Sequence, residues 1–262
     1  MTEKMMPPLS RHCRQPWKAL PWLAVWFMAA ALTGCAHTQR PGDGSMPGAA
    51  RYLVPLADCA PSILQEMRYA GADNFVGRPV EGYAAPVCLL TPPAARALAR
   101  AQEEVRTYDL SLKVFDCYRP QRSVDHFVRW AQDTNDQQTK ARFYPDVDKR
   151  RLFERGYIAA RSGHSRGSTV DITLVSVADG DSTELAMGTP FDFFDPRAHT
   201  ASTAIPPAAR RNRLLLRLVM ERHGFVNYEK EWWHYTLRKE PWPDRYFDFP
   251  VVPFEGNGRR CE

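Results

Sequence analysis

The sequence predicts an α+β domain, with a small, mainly antiparallel sheet flanked by helices. Three observations lead there: four segments with a helical apolar period, short strand-like runs lying between them, and no repeating βαβ rhythm. Pro92 to Tyr108 opens with prolines and sets Ala94, Leu98, Ala101 and Val105 on one face, so it reads as a helix. Leu112 to Tyr118 is strand-like and leads into a helix over Arg122 to Ala131, carrying Val124, Phe127, Val128 and Ala131. A third helix is predicted over Asp146 to Arg155, closed by Gly156. Thr169 to Val175 reads as an apolar strand. Ala178 to Pro207 has few period signals and several turn formers, the signature of a loop that walls or covers a site. Pro206 to His223, rich in Leu and Arg, is a helix stopped by Gly224. Phe225 to Tyr228 and Trp233 to Leu237 supply the last strands.

The N-terminal segment is of another kind. Lys4, Arg11, Arg14 and Lys18 form a basic leader, and Ala19 to Leu32 is an apolar run broken only by Pro21. The run is short for a spanning helix and reads as a secretory signal over residues 1–34. It ends in Leu32-Thr33-Gly34-Cys35, which resembles a bacterial lipobox. That resemblance implies a lipid on Cys35, which would then be the mature N-terminus. Ala36 in place of Asp implies onward transfer to an outer membrane, with the protein anchored in the periplasm. An ordinary signal peptide that happens to contain a cysteine is the alternative. Thr38 to Ala50 is rich in Gly, Pro and small residues, so residues 35–50 read as the lipidated Cys35 and a flexible tether. Residues 51–262 show no repeat and no second linker, and read as one domain.

Charge excludes some partners. The leader holds four basic residues and one acid, so three of the chain's five net positive charges lie there, leaving 31 basic and 29 acidic residues beyond it. A nearly neutral domain calls for no nucleic acid. Four cysteines follow Cys35, namely Cys59, Cys88, Cys117 and Cys261, an even count that suits two disulfides in an oxidising compartment. Of the three connectivities, Cys59–Cys88 with Cys117–Cys261 is the expectation. Their spacing matches no cysteine zinc pattern.

The chemistry concentrates in three short segments. Ser162-Gly163-His164-Ser165-Arg166-Gly167-Ser168-Thr169-Val170-Asp171 offers a histidine and an aspartate, with glycine between them for a tight bend. Asp171 falls in an apolar strand, where a carboxylate needs a partner or a metal. Glu231-Trp232-Trp233-His234-Tyr235 offers a third ligand and a carboxylate three residues before it. Two histidines and one carboxylate leave a position on zinc open for water, as a hydrolase requires, with Glu231 able to move the proton. Phe115-Asp116-Cys117-Tyr118-Arg119-Pro120 places an arginine at a strand end, suited to a developing oxyanion. Each has a plain structural alternative: a loop histidine at 164, a buried ion-pair aspartate at 171, a core histidine at 234, a solvated acid at 231, an Arg119–Asp116 pair. His126, His199, His223, Trp232 and Trp233 read as structural, and Arg166 as a support.

The runs S-G-H-S-R-G-S-T-V-D-I-T-L, M-G-T-P-F-D-F-F-D-P and E-W-W-H-Y resemble the D-alanyl-D-alanine dipeptidase (VanX-type) family of zinc D,D-peptidases. R-Y-A-G-A-D-N-F-V-G-R-P-V-E-G-Y, F-D-C-Y-R-P and Y-F-D-F-P-V fit as well, in order from Tyr52 to Val251. The resemblance implies one Zn²⁺ per chain in a cleft, held by His164, Asp171 and His234. It implies Glu231 as general acid and base, Arg119 as the group that stabilises the transition state, and Ser162, Asp192 and Tyr69 as substrate contacts. Asp192 would face the free ammonium of a small D,D-dipeptide. Resistance-associated members act in the cytoplasm, so an export signal here points to salvage of dipeptide released by wall turnover. Two competing readings are a zinc D,D-carboxypeptidase or endopeptidase with an open groove, and an inactive wall-binding lipoprotein.

Overall fold

The computed structural model describes residue 48, residues 51–178 and residues 182–253. Cys35, its leader and Cys261 lie outside the described residues. In chain order the elements are β1 (Val54–Pro55), α1 (Leu56–Cys59), β2 (Leu64–Gln65), β3 (Leu89–Leu90), α2 (Pro92–Arg106) and β4 (Leu110–Asp116). They continue with α3 (Gln121–Gln132), α4 (Lys140–Phe143), β5 (Thr169–Ser176), β6 (Thr183–Glu184), α5 (Pro207–Arg222), β7 (Phe225–Asn227) and β8 (His234–Leu237). Six strands form the main sheet in the order β2-β4-β5-β8-β7, with β6 also paired to β5. Only β2 and β4 run parallel; the other pairs are antiparallel, as expected.

The sheet centres on β5, whose first seven residues are all buried. The apolar side chains of Val170, Ile172, Leu174 and Val175 fit a strand covered on both faces, and they are why Thr169 to Val175 was readable. α2 starts on Pro92, whose missing N–H costs nothing in a first turn, and buries Ala94, Leu98, Ala101 and Val105. α5 starts the same way on Pro207.

Two expectations fail. No helix forms over residues 146–155: the segment holds only a 3₁₀ turn, Lys149–Arg151, followed by further turns. Lys149 explains it. Its side chain is buried, donates to the carbonyls of Asp133 (2.8 Å) and Asp136 (2.6 Å), and lies 3.9 Å from the centre of the Trp130 ring. These tertiary contacts override the local helical pattern. The expected cysteine pairing is also wrong. Cys88 bonds Cys117, with Cα atoms 5.2 Å apart, so neither Cys59–Cys88 nor Cys117–Cys261 forms. The Tyr118 N–H donates to the Leu89 carbonyl at 2.9 Å, which aligns the chain at 88–89 with the end of β4. Cys59 is disulfide-bonded as well.

Candidate metal centre

Strand register assembles the centre. On β5, Asp171 stands opposite His234 of β8 on one side and Asp116 of β4 on the other, where an irregularity between Val114 and Asp116 turns the end of β4. His164 sits just before β5 in the 3₁₀ turn Gly163–Arg166, which Ser162 caps by accepting the His164 N–H at 3.2 Å. Gly167 ends that turn at φ +78°, and a Cβ there would come within 2.5 Å of the Leu53 side chain. Glu231 lies in the turn joining β7 to β8.

Three ligand atoms converge. His164 Nε2 is 3.2 Å from Asp171 Oδ1, His234 Nδ1 is 3.1 Å from the same oxygen, and the two nitrogens are 3.3 Å apart. Zinc bonds of about 2.0–2.1 Å in tetrahedral geometry require ligand separations of about 3.3 Å. Asp171 Oδ1 is buried and makes no hydrogen bond, although both nitrogens are close to it. A desolvated carboxylate oxygen without a donor is costly, and a shared cation supplies what it lacks. The ring orientation agrees: His164 Nδ1 lies 2.6 Å from the Cys117 carbonyl, which can only accept, so Nδ1 carries the proton and Nε2 presents its lone pair. Among the described residues this is the one cluster of histidine and acidic groups able to hold a metal ion. His126 and His223 are engaged elsewhere, with the Glu81 N–H and with Glu104, and His199 does not line the cavity.

The metal position opens on a cavity of about 280 Å³, at the small end for ligand pockets. Tyr69, Arg119, Ser162, Asp192, Glu231 and His234 all line it. Glu231 Oε2 is 3.4 Å from His234 Nδ1, and burial pushes the Glu231 carboxyl up to about 7. Arg119 is held by Asp116, with Nε and Nη2 at 2.9 and 2.8 Å from Oδ2, and its Nη2 reaches Asp171 Oδ2 at 3.4 Å. It also lies over the Tyr69 and Phe127 rings, 5.0 and 5.1 Å from their centres. Its Nη1 donates to Ser162 Oγ at 3.4 Å. Asp192 accepts from the Tyr69 hydroxyl at 3.0 and 3.1 Å, and burial, with the charge of Asp171 adding to it, holds its carboxyl well above the usual range.

His164, Asp171, His234, Glu231, Arg119, Ser162, Asp192 and Tyr69, expected from the sequence, therefore lie together at this one centre. Trp233 lines the cavity, whereas Arg166 pairs with Glu240 at 2.7 and 2.9 Å on its outside. Sequence reasoning missed Tyr83, whose hydroxyl donates to Asp116 Oδ1 at 2.6 Å and so completes the support of Arg119. It sits in the G-Y pair that ends the R-Y-A-G run, with nothing around it that announces a partner 33 residues away.

A family model described as D-ala-D-ala dipeptidase (Peptidase_M15) matches residues 49–252. The chain belongs to that family. A D-alanyl-D-alanine dipeptidase of Streptomyces coelicolor is 48% identical over 187 residues, 71% of this chain and 92% of that protein. Dipeptidases of the same name from Enterococcus faecium and Escherichia coli are 42% and 36% identical, over 71% of this chain and 91% and 84% of their own lengths. A solved structure, the Zn(II) complex of a mutant of the vancomycin resistance D,D-pentapeptidase VanY, matches 60% of this chain and 77% of its own at 14% identity and a TM-score of 0.37. That likeness is too loose to place side chains.

Proposed function

We propose that this protein is a zinc-dependent D-alanyl-D-alanine dipeptidase. The observation that carries the reading is the triangle of His164 Nε2, Asp171 Oδ1 and His234 Nδ1, closed to 3.1–3.3 Å around a carboxylate oxygen that lacks any hydrogen-bond donor. His164, Asp171 and His234 would hold the zinc, which would supply Lewis-acid chemistry and make water more acidic there. The chain's own residues do the rest. Glu231, desolvated beside the ligands, takes a proton from the attacking water as its oxygen bonds the scissile carbonyl carbon, and delivers that proton to the amine as the C–N bond breaks. Arg119, fixed by Asp116 and Tyr83, presents its guanidinium to the oxygen of the scissile carbonyl as negative charge develops. Asp192 receives the substrate ammonium, because a nearby cation restores the charged form that burial disfavours. Tyr69 and Ser162 fix those two groups in place.

A small cavity with an acid for a free amine suits a dipeptide and disfavours a chain extended at its N-terminus. Residues 51–262 act as the catalytic domain. The L-T-G-C run supports a signal over residues 1–34 and a lipidated, tethered Cys35 at the periplasmic face of an outer membrane, where dipeptide from wall turnover would be salvaged. Cell fractionation with a Cys35→Ala variant tests this: the wild type should follow membranes and the variant should not, and a wild-type protein found in the cytoplasm contradicts it.

The activity is tested by amino-acid release from D-Ala-D-Ala beside a wall pentapeptide ending in D-Ala-D-Ala, using zinc-loaded protein. Cleavage of the free dipeptide alone is expected. Cleavage of the pentapeptide would instead make the protein a D,D-carboxypeptidase, and no cleavage of either would make it a binding protein.

A further inference from the structure

Asp192 occupies an unusual backbone position. Its φ is +60°, a left-handed conformation that costs an L-residue energy and persists only where the surrounding chain is firmly held. What holds the segment is Arg213 of α5. This arginine is 1% exposed, and among the described residues no carboxylate pairs with it. Burial without a counter-charge draws its pKa down to about 10. Its guanidinium instead satisfies four neutral acceptors. Nε donates to the Met187 carbonyl at 2.6 Å, and Nη2 donates to Thr189 Oγ1 at 3.2 Å. Nη1 donates to the carbonyls of Arg197 at 2.9 Å and His199 at 2.7 Å.

Those acceptors lie on the two limbs of the loop that carries Asp192, two before it and two after it. A third connection leads to the metal centre. Thr189 Oγ1 also accepts from Trp232 Nε1 at 2.9 Å, and the Trp232 N–H donates to the Ala198 carbonyl at 3.1 Å. Trp232 is the residue between Glu231 and Trp233, so one guanidinium ties the Asp192 loop to the segment bearing Glu231 and His234. Gly188 keeps the near limb tight against α5 and the residue leading into it: a Cβ there, already at φ +83°, would fall 2.8 Å from Ile205 Cβ and 3.1 Å from Ala209 Cβ of α5.

We infer that Arg213 is a positioning residue, which fixes Asp192 relative to Glu231 and so sets where the dipeptide's ammonium binds. A planar fork spans both limbs, whereas a lysine keeps the charge but bonds one limb at a time. The inference rests on the dipeptidase reading for the role of Asp192, though the clamp itself does not.

The test compares Arg213→Lys with the wild type, alone and combined with Asp192→Asn, in zinc-loaded full-length protein. In Arg213→Lys, KM for D-Ala-D-Ala should rise about tenfold with kcat within about twofold. Discrimination against N-acetyl-D-Ala-D-Ala, which lacks the ammonium, should narrow in step. In the Asp192→Asn background the same change should alter KM by less than about twofold, since two residues acting through one contact are not additive. Hydrogen exchange reports on the clamp independently of activity: amides of residues 187–199 should exchange faster in Arg213→Lys while α2 and β5 keep their protection. Should Arg213→Lys not fold, Thr189→Val removes one acceptor and should move KM and exchange in the same direction to a smaller extent. Equal loss of kcat and KM in both backgrounds, or unchanged exchange over 187–199, overturns the inference. If the wild type does not cleave the dipeptide, the dipeptidase reading fails, and the exchange data still decide whether Arg213 holds the loop.

Discussion

Glu231→Gln isolates the energetic consequence of a carboxyl buried beside the metal ligands. The Glu231 side chain is only 16% exposed, and in the metal-free protein burial raises its pKa from an ordinary 4.5 to about 7. For an acid whose folded pKa is raised, the unfolded chain releases the proton first. Stability is therefore present below about 4.5 and is lost as pH climbs toward 7. At 1.36 kcal/mol for each tenfold change in the ionisation constant, the difference comes to about 3 kcal/mol. For a domain of this size that is a fall of roughly 6–12 °C in Tm. Glutamine cannot ionise, so Glu231→Gln should match the wild type near pH 4.5 and exceed it by that amount at pH 8. The assay is thermal unfolding of chelated wild type and variant across that range, read as the difference between the two curves. Parallel curves would show that Glu231 is ionised in the folded protein without cost, and would refute the burial argument for its role as a base.

Arg119→Lys keeps a positive charge but cannot span Asp116, Asp171 and Ser162 together. It should lower kcat/KM about 10²–10³-fold with zinc content unchanged, as steady-state kinetics and metal analysis can show; near-normal turnover would remove Arg119 from the chemistry. Replacing Cys88 and Cys117 by alanine frees a loop with a sequence separation of 29, and should cost about 3–4 kcal/mol in urea unfolding. Because the Cys117 carbonyl orients His164, zinc affinity should fall in the same variant, and unchanged affinity would contradict that support role.

Much of the frame was legible because local signals and tertiary need agree. Proline starts, a glycine stop after Arg222 and the apolar residues Val170, Ile172, Leu174 and Val175 of β5 each survive into the fold. The failures share one cause. Lys149 abandons a helical pattern for carbonyls at 133 and 136, and Cys88 meets Cys117 because a distant strand end lies beside it. Neither contact leaves a trace in nearby residues. The site shows the same division. His164, Asp171, Glu231 and His234 were readable as chemistry, yet spacing alone could not join positions 164 and 234. The β5–β8 register does so, by setting Asp171 opposite His234. Asp192 was singled out only through the family resemblance, and its left-handed backbone and the arginine that holds it are properties of the packed molecule.

X-ray absorption at the zinc edge, with metal stoichiometry on the same sample, decides whether His164, Asp171 and His234 form the zinc site of a hydrolase. The expected result is one zinc per chain in a first sphere of nitrogen and oxygen only, with the signal and D-Ala-D-Ala hydrolysis lost together in Asp171→Asn. A sulfur scatterer, or zinc retained at full occupancy after that replacement, would contradict it.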